Sequence, residues 1–256
     1  MNPVRSSFDR ISRIAATVAL AGCAAFIQAA EYPAVLDWSG KVALTLPVSG
    51  VLENVVAQPG QRIMKGDLLA SLEPALFRIA VVEARADLDR FGEEQADAKR
   101  DFERVRELYA RTVASTTELD AARLRFARAE SGLAAAQARI ERARRLLSDS
   151  ELRAPFDAQV LIRHAEPGLV LTSQCQPAVV FTIARANELV ARAQISPAQA
   201  GALKLGADAE VTVAGISLTG KVKAISVAAD HVHQLEVVLP RQAGMTAGQQ
   251  VSIRLP

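Results

Sequence analysis

The sequence predicts an α+β, elongated, multidomain chain in which an antiparallel α-helical coiled-coil hairpin is inserted into a small β-sandwich and a small β-barrel follows. Three observations predict it. Residues 75–154 contain no proline and only two glycines, Gly92 and Gly132. Pro-Gly pairs at Pro59-Gly60 and Pro167-Gly168 punctuate the two flanks, as turns between strands do. Those flanks also repeat each other, with ten residues from Gly50 to Gly60 and ten from Ala158 to Gly168.

Composition supports folded domains. Of 256 residues 50% are hydrophobic and only 4% aromatic, which is enough apolar material for real cores built from small side chains. Two cysteines, Cys23 and Cys175, exclude a disulfide framework. The net charge of +2 belongs to the first thirty residues, which carry Arg5, Arg10 and Arg13 against Asp9. Residues 31–256 balance at 27 basic and 27 acidic, so the body lacks the basic surplus with which a nucleic-acid binder displaces counterions.

Residues 1–30 have the layout of a secretory signal peptide. The three arginines precede an apolar run at 14–27, and Gln28, Ala29 and Ala30 supply small residues before Glu31. Within the run, Leu20-Ala21-Gly22-Cys23 resembles a bacterial lipobox, which makes Cys23 the candidate lipidation residue. Plain cleavage near Ala29 or Ala30 is the competing reading. Either route takes the chain out of the cytoplasm.

The hairpin occupies 74–151. Phe77, Val81, Ala84, Leu88, Phe91, Gln95, Ala98, Phe102, Val105 and Tyr109 follow steps of four and three, as do Leu119, Ala122, Phe126, Ala129, Leu133, Ala136, Ile140, Ala143 and Leu147. A 4-3 repeat sustained over more than four heptads puts one narrow seam on each helix, and two such arms joined by a short link fold back antiparallel. Each arm is about 50 Å long. Pro74 suits the start of the first helix, and Ser115-Thr116-Thr117-Glu118 reads as a capping box that opens the second. The nearly balanced charges along both arms read as a solvated face.

On either side, residues 31–73 hold an N-terminal strand and the first half of the sandwich, and 152–184 hold the second half. Residues 185–256 read as the barrel, with strands at 189–195, 210–213, 218–226, 235–239 and 250–255 and a brief helix opened by Ser196-Pro197.

These stretches carry a resemblance. Ser49-Gly50-Val51, Pro59-Gly60 and the run from Gln61 through Lys65-Gly66-Asp67 to Leu69 are similar to the first lipoyl-like half of periplasmic adaptor subunits. Leu152-Arg153-Ala154-Pro155-Phe156-Asp157 resembles the start of the second half. These adaptors are the membrane fusion proteins of tripartite efflux pumps of the resistance-nodulation-division type. Ala158 departs from the pattern, where the family usually has glycine. In the family a membrane-proximal domain follows the barrel, whereas here the chain ends at Pro256 directly after the last strand expected of the barrel.

The resemblance implies an adaptor that links an inner-membrane efflux transporter to an outer-membrane channel of the TolC type, exporting small molecules across the cell envelope. It places the chain in the periplasm at the inner membrane, lipid-anchored if Cys23 is modified, and implies a homo-oligomeric ring. An ABC-type exporter or a type I secretion system would use a similar adaptor. In the family the hairpin tip carries an Arg-x3-Leu-x6-Ser pattern that engages the channel, and Arg104, Leu108 and Ser115 stand at those spacings.

Other chemistry finds little footing. His231 and His233 are two apart and could face one way on a strand, but they lack an accompanying carboxylate or cysteine cluster, so surface or packing roles outweigh a metal site. Cys175 reads as a lone thiol, and Met64 and Met245 are too few for copper handling. A lipoyl or biotinyl carrier would need a lysine at the turn joining the sandwich halves, where this chain has Glu73-Pro74 and the hairpin. No cofactor, no metal and no catalytic arrangement is expected, and the chain does not read as an enzyme.

Overall fold

The computed structural model describes residues 31–173, 177–227 and 232–255. In chain order the elements begin with strand β1 (Glu31–Trp38), then β2 (Val42–Leu44), β3 (Gly50–Val55), β4 (Arg62–Ile63) and β5 (Leu68–Leu72). Helices α1 (Ala75–Ala110) and α2 (Thr116–Asp149) follow, and then β6 (Glu151–Arg153), β7 (Ala158–Arg163), β8 (Val170–Leu171) and β9 (Phe181–Arg185). The last stretch holds β10 (Glu188–Ile195), α3 (Pro197–Ala202), β11 (Asp208–Val213), β12 (Ile216–Val227), β13 (His233–Pro240) and β14 (Gln250–Arg254). The described residues form two compact units: those within 37–190 and 240–247, and those within 31–36, 191–239 and 248–255.

In the first unit, two four-stranded sheets run in the orders β2-β9-β7-β4 and β6-β5-β3-β8. Each half of the sequence repeat contributes two strands to each sheet. Exchanging β2 with β6, β3 with β7, β4 with β8 and β5 with β9 turns one sheet order into the other. Neither half can therefore bury its apolar face without its counterpart. Leu52, Leu69, Phe181, Ile183 and Val160 are fully buried between the sheets, and Phe77 of the first turn of α1 packs against them.

The two Pro-Gly turns are equivalent. Gly60 and Gly168 have φ of +84° and +89°, a region that strongly favours glycine. Gly50 and its counterpart Ala158 behave differently. A Cβ on Gly50 would come within 3.1 Å of Leu72 Cδ1, a tight approach that the Leu72 side chain would have to yield to. Ala158 opens β7 with its side chain fully buried, so the sandwich core itself accepts the extra methyl.

The hairpin follows the seam that the 4-3 steps predict. On α2, Ala122, Ala136, Ile140 and Ala143 are buried, and on α1 the nine seam positions from Phe77 to Val105 are half-buried. Tyr109 is the exception at 40% exposed, because α1 ends one residue on. Phe102 and Phe126 stack across the seam with ring centroids 5.8 Å apart. The outer faces carry i,i+3 and i,i+4 ion pairs such as Arg90 with Asp87 and Glu94, as a solvated face does. At the base, the Leu72 N–H donates to the Ser150 carbonyl at 2.9 Å, which brings the two ends of the hairpin together.

The second unit is a closed barrel of order β1-β10-β13-β12-β11-β14. The barrel expected from residues 185–256 takes its sixth strand from the N-terminus. β1 pairs with β14, and its alternation of buried Ala34 and Leu36 with exposed Val35 fills one position of the wall. The N-terminal strand thus belongs with the barrel and not with the sandwich half that follows it in sequence. Val211, Leu235, Val237, Leu239 and Ile253 fill the interior. α3 opens with a capping box between Ser196 and Gln199, and Gln199 Nε2 also donates to the Tyr32 hydroxyl at 2.5 Å.

Candidate functional site

The hairpin turn is short and tightly held. α1 ends at Ala110, and the Leu108 carbonyl accepts from the N–H groups of Arg111 and Val113 at 3.2 and 2.9 Å, so the last turn closes on itself. Thr112 takes a φ of +58°, the left-handed conformation that reverses the chain. Ser115 then caps α2. Its Oγ accepts from the Glu118 N–H at 3.2 Å, and the Glu118 carboxylate accepts from the Ser115 N–H at 2.7 Å and from its hydroxyl at 2.9 Å. These bonds, the backbone one first, hold the Glu118 carboxyl below its ordinary value.

Of the three residues singled out by the resemblance, the fold brings two together. Arg104 and Leu108 line one groove of about 420 Å³ between the arms, with Val105, Ala114, Thr117, Ala121 and Ala122 among its other walls. Leu108 is 36% exposed, an apolar side chain available to a partner. Ser115 is not among the lining residues, although its neighbour Ala114 and its capping partner Glu118 are. Its hydroxyl proton is committed to Glu118. The spacing also missed Val113, whose side chain at the apex is 72% exposed.

Two further residues organise the groove. The half-buried Asp101 carboxylate accepts from Arg104 one turn along α1 and from Arg125 of α2, the latter at 2.9 Å. The Arg104 hydrogen bond is the main cause that holds the Asp101 carboxyl below the usual range, against the opposing effect of desolvation. Both arginines keep most of their side-chain surface in solvent. The charged rim therefore presents two guanidinium forks around one carboxylate.

The remaining candidates carry less. Cys23, Cys175 and His231 lie outside the described residues. His233 opens β13 opposite Val227, with its Nδ1 buried and without a hydrogen-bond partner. Among the described residues there is no group of three or more His, Cys, Asp or Glu side chains that could hold a metal ion. No helix among them is long and apolar enough to cross a membrane.

Residues 41–185, the sandwich together with its hairpin, match the family model described as CzcB-like, barrel-sandwich hybrid domain. The chain belongs to this family. Over 147 residues it is 30% identical to the multidrug resistance protein MdtA of Escherichia coli O45:K1, and equally to that of Cronobacter turicensis. In each case the match covers 53% of this chain and 35% of the relative, so it spans about a third of those proteins' length.

Solved structures share the fold of the barrel-sandwich hybrid chain. A chimera of MacA and MexA carrying the Pseudomonas aeruginosa MexA α-hairpin domain superposes with a TM-score of 0.66 at 20% identity, covering 89% of this chain and 81% of the chimera. The membrane fusion protein Spr0693 of Streptococcus pneumoniae R6 gives 0.61 at 15% identity, covering 89% and 98%.

Arg125 and Asp101 escaped the spacing argument because they come from different arms, yet a signal for them existed. Asp101 and Arg125 each lie twelve residues from Val113, and the ion-paired Asp87 and Arg139 each lie 26 from it. An antiparallel hairpin folded about position 113 pairs its arms in that register.

Proposed function

We propose that the chain is a periplasmic adaptor of an efflux pump, a non-catalytic link between an inner-membrane transporter and an outer-membrane channel of the TolC type. The hairpin tip, in this reading, docks on the periplasmic end of the channel. The observation that carries it is the convergence of Arg104 and Leu108 on one groove at the tip of a hairpin inserted in a barrel-sandwich hybrid domain. Leu108 supplies apolar area to a groove between channel helices, and Arg104 supplies a fork of donors for carbonyls or carboxylates. Ser115 holds the turn in shape through its cap. Resemblance to the resistance-nodulation-division adaptors and the name of the MdtA relatives favour small-molecule drugs as cargo.

The adaptor works in the periplasm at the inner membrane, as one of several copies in a ring. Lipid on Cys23 would add a tether. Labelled palmitate incorporated by the wild type and lost in Cys23→Ser decides for the tether, and an unlabelled protein beginning near Glu31 decides for plain cleavage.

The docking test uses a strain lacking its native adaptor. Arg104→Ala and Leu108→Ala are expected to leave the protein secreted at normal levels and to raise drug accumulation, and a crosslinking residue at position 108 of the otherwise unchanged protein is expected to join it to the channel. Full efflux by both variants, with no crosslink formed from position 108, rejects the docking reading.

A further inference from the structure

We infer that Arg125 is a third docking residue of the hairpin tip beside Arg104 and Leu108, and that Asp101 is the positioning residue that sets Arg104 and Arg125 side by side. The inference rests on the docking reading and adds residues that the Arg104, Leu108 and Ser115 spacing does not contain.

Arg125 stands on the arm opposite Arg104, and only the antiparallel register brings the two onto one carboxylate. All three residues wall both the groove that holds Leu108 and a neighbouring groove of about 550 Å³ that includes Ala98, Glu94 and Asp97. The pair thus forms the ridge between two concavities. Asp101 is only 23% exposed on its side chain, whereas Arg104 and Arg125 are 71% and 66% exposed. The carboxylate is turned into the hairpin and the guanidiniums face outward, so one anion fixes two forks and leaves donors unspent toward solvent. An arginine guanidinium carries five N–H donors, and a single shared carboxylate cannot satisfy ten.

Two forks held a few ångströms apart suit a partner that offers several acceptors in a small area, such as the carbonyl end of a helix or a carboxylate beside it. Ala114, Ala121 and Ala122 keep the adjoining groove floor low, so a helix backbone can approach the forks closely. The channel end proposed above is the partner of this chemistry.

The test measures binding of the full-length protein to a purified TolC-type channel in detergent micelles at two salt concentrations. Arg125→Ala is expected to weaken binding about three- to tenfold and to reduce its salt dependence, as loss of an exposed charge-assisted contact does. Arg125→Lys keeps charge without the fork and is expected to fall between. Asp101→Asn is expected to weaken binding about two- to fivefold, the range governed by an exposed ion pair. That effect should vanish in an Arg104→Ala, Arg125→Ala background, because Asp101 acts through the arginines. Melting temperatures should stay within a few degrees of wild type, and Arg142→Ala, away from the tip, should bind normally.

Normal binding by Arg125→Ala while Leu108→Ala is impaired overturns the inference and leaves the docking reading standing. Normal binding by both rejects the two together. An Asp101→Asn effect that persists in the double-alanine background, or that tracks a fall in melting temperature, assigns Asp101 to structure alone and overturns its positioning role.

Discussion

A Cβ placed on Gly132 of α2 would stand 3.0 Å from Cδ1 of Phe91 on α1, so the Phe91 ring occupies the space that a side chain on α2 would need. The guanidiniums of Arg90 and Arg139 lie 4.0 and 5.9 Å from the centroid of the same ring, one from each arm. Gly92, one residue further along α1, has nothing within 4 Å of its Cβ position. The two glycines of the hairpin therefore respond differently to substitution. Gly92→Ala should stabilise the hairpin by about 0.5–1 kcal/mol, the helix preference of alanine over glycine. Gly132→Ala should come out near neutral, because that gain is offset by displacement of Phe91. Gly132→Leu should lose about 1–3 kcal/mol to overpacking. Thermal unfolding followed by helical circular dichroism checks all three.

Ala136 is fully buried on the seam, whereas Ala138, two residues on, is exposed. Ala136→Asp buries an uncompensated charge and should cost about 3–5 kcal/mol. Ala138→Asp makes the same chemical change in water and should cost about 0.5 kcal/mol, a matter of helix propensity. Equal losses in denaturant titrations would contradict the seam.

The capping box gives the tip an acid-sensitive component. Glu118 has its folded value depressed below the ordinary 4.5 by its bonds to Ser115. Its ionised form therefore stabilises the folded tip above about pH 4.5, and that contribution fades as pH falls through the depressed value. Ser115→Ala should lower hairpin stability by about 1 kcal/mol at neutral pH. It should also flatten the acid limb of a melting-temperature profile taken from pH 6 to pH 3.

Ser49 and Ser173 come from opposite halves of the sequence repeat, yet their Oγ atoms lie 3.1 Å apart. Ser49→Cys with Ser173→Cys, in a chain whose own cysteines are replaced by serine, should oxidise readily and raise the stability of the sandwich by about 2–4 kcal/mol. Migration on a non-reducing gel and melting with and without reductant read this out. A pair that stays reduced under oxidising conditions would argue against the interleaved sheets.

Local regularities made much of this fold legible. The 4-3 steps located the seam because helix packing depends on side chains three and four apart, and the Pro-Gly pairs located two turns because their φ values favour glycine. β1 was legible as a strand but not as part of the barrel, since nothing local in Glu31–Trp38 states which distant strand will cover Ala34 and Leu36. Tyr109 keeps the heptad step but is 40% exposed, because α1 ends one residue on. At the candidate site, Arg104 and Leu108 were marked by resemblance to the adaptors' Arg-x3-Leu-x6-Ser pattern, whose first two positions lie within one helix. Arg125 and Asp101 required the register between two helices, which a one-dimensional spacing does not contain until the turn is fixed at Val113.

The bond from Leu72 to Ser150 carries a kinetic meaning. Closing an unstructured loop as long as the segment between them costs about 4 kcal/mol of chain entropy before any sandwich contact can repay it. A hairpin that zips from its capped turn toward its base removes that barrier one heptad at a time and delivers β6 beside β5 as its final step. On that route the long excursion of the chain is expected to act as a guide for strand pairing, converting distant partners into neighbours. Changes that loosen the seam far from the sheets are accordingly expected to slow the assembly of the sandwich, even where the finished sandwich is untouched.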